Sequence, residues 1–276
     1  FAHNGIKMSR RIAKVRSMSS NLDFWGLQET HSTPERAAAL QSEFPDHVLF
    51  WSHCSLQRGG LALGVSVKFL QQFEHVSWIE VEQGRIGKLE LRGSRGSLDL
   101  HCVYLDDQSA IARKHSIDLL QDAMAPQTSV LSVLFGDFNF VEHDHDRFCK
   151  SSGRPTGARD SPVAKHLHDR ILTKFGMFEL HQEHHTCEGG RAYSKLDRIY
   201  ANWHACDQID RNVECVACAW PLTLSDHRPV MFARRAVKKV RPCAGIERAL
   251  PARTIEHQSW APKVKELHLD LLVEHA

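Results

Sequence analysis

Four hydrophobic, strand-like runs of this chain each deliver a carboxylate, an amide or an imidazole at their end. The segments are Leu27-Gln28-Glu29-Thr30, Gly136-Asp137-Phe138-Asn139, Lys195-Leu196-Asp197-Arg198-Ile199 and Ser225-Asp226-His227. Burying that much charge and amide costs several kcal/mol per group unless a cation or hydrogen bonds compensate. A fold that accommodates all four must therefore gather strand ends around a positive partner, and the expectation is a metal-dependent active site. Any one segment alone is weak evidence.

The bulk numbers set wide limits. A chain of 276 residues supports one large domain or two small ones. No run approaches the ~18 apolar residues that span a bilayer, so no membrane partner is expected. The start, Phe1-Ala2-His3-Asn4-Gly5, has neither an initiator Met nor a signal-peptide pattern and reads as cut from something longer. A net charge of +2 does not announce a nucleic-acid binder. Basic clusters do occur: Lys7, Arg10, Arg11, Lys14 and Arg16 near the start, and Arg234, Arg235, Lys238, Lys239 and Arg241 late. Each suits a solvated face as well as a binding surface. Eight cysteines without a disulfide framework favour a reducing, intracellular compartment. Cys215 and Cys218 lie in a strand-like run, where i and i+3 point to opposite faces, so the pair reads as structural. Among nineteen histidines, His143, His145, His181, His184 and His185, with Cys187, leave open either a zinc site or plain polar surface.

Along the chain, residues 8–20 carry a basic amphipathic helical pattern, and 23–27 a short buried strand. Thr33 and Pro34 read as the N-cap and first position of a helix running to about Phe44. Strands are expected at 47–52, 60–69, 74–81, 86–92 and 97–105, then a helix at 109–124 and a buried strand at 129–135. Residues 141–160 read as a long surface loop, followed by a helix at 162–174 and strands at 177–181, 191–200, 212–219 and 229–234. Two packed sheets with helices outside fit this order better than one parallel sheet. The expected domain is 1–236; residues 237–276, with three prolines and one amphipathic stretch from Pro262 to Val273, read as a linker or the start of a further module.

The chemistry of the strand ends can be read residue by residue. Asp137 and Asn139 flank Phe138, as an alternating pair would to share one side of an extended segment. Gly136 permits close backbone approach. Asp197 is a carboxylate inside a strand; its neighbour Arg198 faces the other way, so an imidazole is the better partner. Asp226 suits a hard cation while His227 reaches a substrate. Tyr104 ends another strand, where a phenol serves packing as readily as chemistry.

Taken in order, LQET (27–30), Tyr104 after a strand, GDFN (136–139), LDRIY (196–200) and SDHRP (225–229) resemble the endonuclease/exonuclease/phosphatase superfamily, which includes DNase I and exonuclease III-type apurinic endonucleases. The resemblance spans residues 27–230. It implies a four-layer α/β sandwich, two mostly antiparallel sheets flanked by helices, with the site at one edge of the sheets. It further implies phosphoester hydrolysis with Mg²⁺ or Mn²⁺. Glu29 and Asp226 would hold the metal, Asp137 would orient or deprotonate water, and Asn139 would hold that water or the phosphate. His227 would contact the phosphate with Asp197 fixing its tautomer, and Tyr104 would stabilise the transition state or leaving group. The start departs from the family's Trp-Asn-x-x-Gly pattern. Aligning Gly5 puts Ala2 at the Asn position; either Asn4 substitutes for metal or phosphate after a register shift or a metal-site amide has been lost, and most of the first strand is missing.

The form Tyr193-Ser194-Lys195-Leu196-Asp197-Arg198-Ile199-Tyr200 is most similar to endonuclease domains of non-LTR (LINE-type) retrotransposons. The tail around Leu250-Pro251 and Ile255 to Trp260 resembles the segment leading to a reverse transcriptase. The leading expectation is thus a nuclear DNA endonuclease nicking target DNA, contacting the phosphate backbone, with a reverse transcriptase module in the same polyprotein. The alternatives are a repair-type apurinic nuclease, a small-phosphoester phosphatase, or a degenerate copy that only binds.

Overall fold

The structure is a computed structural model and describes residues 5–125, 130–156, 161–203, 213–219 and 224–234. Contacts divide the chain into a unit spanning Phe1–Arg235 and a second spanning Ala236–Ala276, and every described residue belongs to the first. The tail readings over 237–276, Asn4, and the side chains of the late basic cluster lie outside the described residues.

Helix α1 (Gly5–Ser19) leads into β1 (Phe24–Leu27), α2 (Pro34–Gln41), β2 (His47–Ser52), β3 (Leu61–Ser66) and the short α3 (Val67–Leu70). The strands β4 (His75–Glu82), β5 (Ile86–Gly93) and β6 (Gly96–Tyr104) form a meander, then α4 (Ala110–Ala123) crosses to β7 (Val130–Asp137). After β8 (Arg147–Cys149), α5 (Ser161–Leu167) runs through a π turn into α6 (Thr173–Phe175). The remaining strands are β9 (Phe178–Glu179), β10 (Cys187–Glu188), β11 (Ala192–Ser194), β12 (Asp197–Ala201), β13 (Val213–Ala217) and β14 (Val230–Arg234).

One sheet has six strands in the order β4-β5-β6-β7-β12-β9, and only its β6–β7 pairing is parallel. Opposite it lie the antiparallel sheets β1-β3-β2 and β13-β14. Alternation sorts the side chains. Leu98, Leu100, Cys102 and Tyr104 of β6 pack between the sheets against Leu61, Leu63 and Val65 of β3, with Phe24, Val213, Val230 and Phe232 closing the layer. Val103, Leu134 and Tyr200 face the other way, onto Ile117 and Leu120 of α4 and Val163, Leu167 and Ile171 of the α5 segment. Beyond the smaller sheet, Trp25, Phe44 and Leu49 pack with Ile12 and Val15 of α1. The order helix, sheet, sheet, helix is the mixed α/β sandwich expected. Among the described residues β1 pairs only with β3 and β14 only with β13, although the Phe24 and Phe232 rings lie 5.8 Å apart.

Three local readings need correction. Thr33 caps α2, accepting from Arg36 N at 3.4 Å, but the helix stops at Gln41 rather than Phe44. Pro45 disfavours helical geometry at Phe44, and the Gln41 side chain instead bonds the Phe44 and His47 carbonyls and Leu49 N. The expected 141–160 loop contains a 3₁₀ turn (Asp144–Asp146) and β8, anchored where buried Asp146 meets Arg198 at 2.8 Å. Asp197 begins β12 rather than lying inside a strand, so it too is a strand-end acid.

Candidate active site

Register brings the site together. The parallel β6–β7 ladder sets Tyr104 beside Asp137, and the antiparallel β7–β12 ladder sets Asp197 on Asp137's other side. Three strands thus end in one row, on the face turned to the second sheet. This close approach requires Gly136: its φ is +145°, and a Cβ there would collide with the Val103 carbonyl oxygen.

His227 arrives from the opposite sheet, on the turn before β14. Its backbone N–H donates to Ser225 Oγ at 3.1 Å. Glu188 N donates to Asp226 O at 2.8 Å, and Arg228 N to Thr186 O at 2.6 Å, so β10 and the residue before it clamp both sides of the turn. Arg11 of α1 holds the preceding Leu224 carbonyl at 2.6 Å. The imidazole places Nδ1 2.9 Å from Asp197 Oδ2 and Nε2 4.0 Å from Asp137 Oδ2. With Nδ1 donating to a carboxylate, Nε2 is the nitrogen free to meet a substrate.

The charges are strongly coupled. Burial opposes a charged His227, but the Asp197 charge and hydrogen bond, the Cys187 contact and Asp137 together push its pKa up to about 12. Burial first, then repulsion from Asp197, raises Asp137 to about 7, offset in part by His227. Arg198 does not relieve the acids. It lies on the other face of β12, on Phe140 O and Asp146, as its strand parity requires. Asp197 is steadied from behind by buried Thr186, whose Oγ accepts from both Leu196 N and Asp197 N at 3.0 Å.

Glu29 and Asn139 adopt left-handed backbone, φ +52° and +51°. For Glu29 this costs on the order of 1 kcal/mol. Backbone bonds from Thr30 to Gly60 and His31 to Gly59, both 3.1 Å, hold the loop, with a Thr30–Ser32–His53 side-chain relay at 3.0 and 2.9 Å. The Tyr104 hydroxyl donates to Glu29 Oε1. Burial and this bond raise the Tyr104 pKa, and the Arg85 guanidinium sits 4.6 Å over its ring. Asn139 does not continue the strand as expected. Its N–H donates to Asp137 Oδ1 and its Nδ2 to Leu105 O, both 2.9 Å, leaving one amide N–H and Oδ1 for a ligand.

Among the described residues, two groups of metal-ligating atoms each lie within 4.8 Å of one another: Asp137, Asp197 and His227, and Cys187, Asp226 and His227. Glu29 belongs to neither, and exposed Asp226 turns to Cys187 and His227. The oxygen-rich set of Glu29, Asp137, Asn139, Asp197 and Asp226 is the donor chemistry of a hard divalent cation. Asp137 and Asp197 stand side by side, and a cation there would relieve the repulsion that, after burial, raises the Asp137 pKa. His143 and His145 stack at 5.3 Å and His185 packs edge-on to Phe148, and none of these joins a three-ligand group among the described residues. Sequence reasoning missed Thr186, Arg85 and the placement of Cys187 against His227. Only three-dimensional pairing reveals them.

No curated protein sequence matches the chain. Solved structures do match its fold. An AP endonuclease from Archaeoglobus fulgidus superposes with a TM-score of 0.63 at 16% identity, over 83% of this chain and 96% of the other. The 3' phosphatase NExo from Neisseria, bound to a product DNA hairpin, gives 0.58 at 17%, over 83% and 96%. D. rerio TDP2 complexed with a single-strand DNA product gives 0.55 at 13%, over 83% and 92%. The sequence pattern of one family also runs through the site, from residue 4 to residue 227, and the chain belongs to the Endonuclease/Exonuclease/phosphatase family.

Proposed function

We propose that this chain is a divalent-metal-dependent phosphodiesterase acting on DNA. The observation that carries the reading is the row Tyr104–Asp137–Asp197 with His227 set across it. Protonated His227 donates from Nε2 to a phosphate oxygen and offsets charge developing there. Asp197 holds the ring by Nδ1 and keeps it charged. Asp137, nearly buried and poised near neutrality, accepts the proton of the attacking water, which Asn139 orients. Tyr104, whose burial keeps its proton in place, stabilises the transition state or the leaving oxygen and fixes Glu29. Glu29 and Asp226 would hold Mg²⁺ or Mn²⁺, which when bound polarises the phosphoryl oxygen and neutralises its charge.

Within this class, the Tyr193–Tyr200 form supports an endonuclease that nicks intact DNA for a retroelement, with a reverse transcriptase as its polyprotein partner. A repair-type reading is supported equally, since the solved structures of similar fold include an AP endonuclease and a DNA-bound 3' phosphatase. Parallel assays separate them. Nicking of intact supercoiled plasmid with Mg²⁺ is the expected result for the first. Cleavage confined to abasic duplexes, or release of phosphate from 3'-phosphorylated ends alone, replaces it with the second.

A further inference from the structure

Cys187 is a side chain of the candidate site to which the proposed phosphoester hydrolysis assigns no role. It sits in β10, bridged by backbone to His227, within hydrogen-bonding reach of that imidazole. Its Sγ, an Asp226 carboxylate oxygen and a His227 nitrogen all lie within 4.8 Å of one another. A thiolate, an imidazole and a carboxylate are a poor set for Mg²⁺, which prefers oxygen, and a good one for a borderline-soft cation. The backbone supports the geometry: Glu188 N to Asp226 O and Arg228 N to Thr186 O tie the two ligand-bearing segments together at 2.8 and 2.6 Å. The outer shell is also present. Asp197 engages His227 Nδ1 at 2.9 Å, the carboxylate–imidazole arrangement that orients a metal-binding histidine.

We infer that Cys187, Asp226 and His227 form a site for a thiophilic divalent cation of the Zn²⁺ class, and that its occupation blocks phosphoester hydrolysis. Binding releases the thiol proton and one imidazolium proton to solvent, and leaves a fourth coordination position to water. His227 then has no N–H for phosphate, and Asp226 is taken from the Mg²⁺ site. The blocking half rests on the phosphodiesterase reading; the binding half does not.

The test uses the full chain with Co²⁺ as a spectroscopic stand-in for Zn²⁺. Stoichiometric Co²⁺ should give a thiolate charge-transfer band that Zn²⁺ displaces, that Cys187→Ser abolishes and that Cys149→Ser retains. Without any substitution, Zn²⁺ should slow alkylation of Cys187 at least ~10-fold while leaving exposed Cys54 unprotected. The Zn²⁺ concentration that halves Mg²⁺-supported hydrolysis, each protein compared with its own zinc-free rate, should rise by about 10–100-fold in Cys187→Ser. A cobalt band that survives Cys187→Ser, or equal alkylation of Cys187 with and without Zn²⁺, overturns the site. A band present in a chain that hydrolyses no phosphoester leaves the site standing and removes the phosphodiesterase reading.

Discussion

Asp137 is pulled two ways, and single substitutions separate the pulls. In its proposed role as proton acceptor it must ionise, yet the fold disfavours its charge by burying it beside Asp197. Asp137→Asn should lower hydrolysis by about 10²–10⁴-fold while stabilising the fold at high pH. The sign follows from linkage. A folded pKa raised from 3.8 to about 7 contributes stability that is complete below 3.8 and lost as pH rises through about 7. Thermal melts should therefore show the variant more stable by about 2–8 °C at pH 8 and unchanged near pH 4. Asp197→Asn tests the partner. The His227 imidazole should titrate well below the wild-type value of about 12, as read by NMR, with a matching loss of rate at alkaline pH. His101 carries the opposite sign. It is fully buried beneath α4 with both ring nitrogens unpartnered, and burial lowers its pKa to about 4. Its neutral form contributes stability that is complete above 6.5 and lost as pH falls through about 4, amounting to roughly 3 kcal/mol. Urea denaturation of His101→Leu should show that acid-side loss flattened.

Among the elements, the candidate site depends on the close approach of β6 and β7 at Gly136. Gly136→Ala should cost about 3–5 kcal/mol, because its Cβ meets the Val103 carbonyl and its φ of +145° is one that alanine avoids. A melting temperature within 2 °C of wild type would show that the β6–β7 pairing tolerates a side chain there. The same element shows what a sequence reading can reach. Apolar runs and turn residues placed β2 at its observed ends and the other long strands within a few residues. Strand parity alone separated Asp197 from Arg198. Contacts between distant segments stayed hidden. Nothing near Asp146 signals that it pairs with Arg198, so 147–149 read as loop. Nothing near Thr186 signals that it caps the β12 start ten residues on. The two apolar phenylalanines flanking Asn139 suggest an extended segment, whereas the backbone turns left-handed to reach Leu105.

For the whole molecule, the proposed catalytic groups come from the six-strand sheet and from the two smaller sheets opposite it, so activity should depend on how these sheets align. Tyr104, Asp137 and Asp197 come from the six-strand sheet, while His227 comes from the turn leading into β14 and Glu29 from the end of β1. Arg11 bridges from α1 to the Leu224 carbonyl before that turn, so Arg11→Ala should reduce turnover several-fold with little change in melting temperature. No described helix is long and apolar enough to cross a membrane. The central claim is that the acids and His227 form one cation-dependent phosphodiester-cleaving centre. Its most direct test is nicking of supercoiled plasmid by the full chain with Mg²⁺, with EDTA, and in folded Asp137→Asn and His227→Ala variants. The expectation is nicking that EDTA removes and that both variants lose by at least ~100-fold. Equal nicking by either folded variant, or by wild type in EDTA, would contradict it.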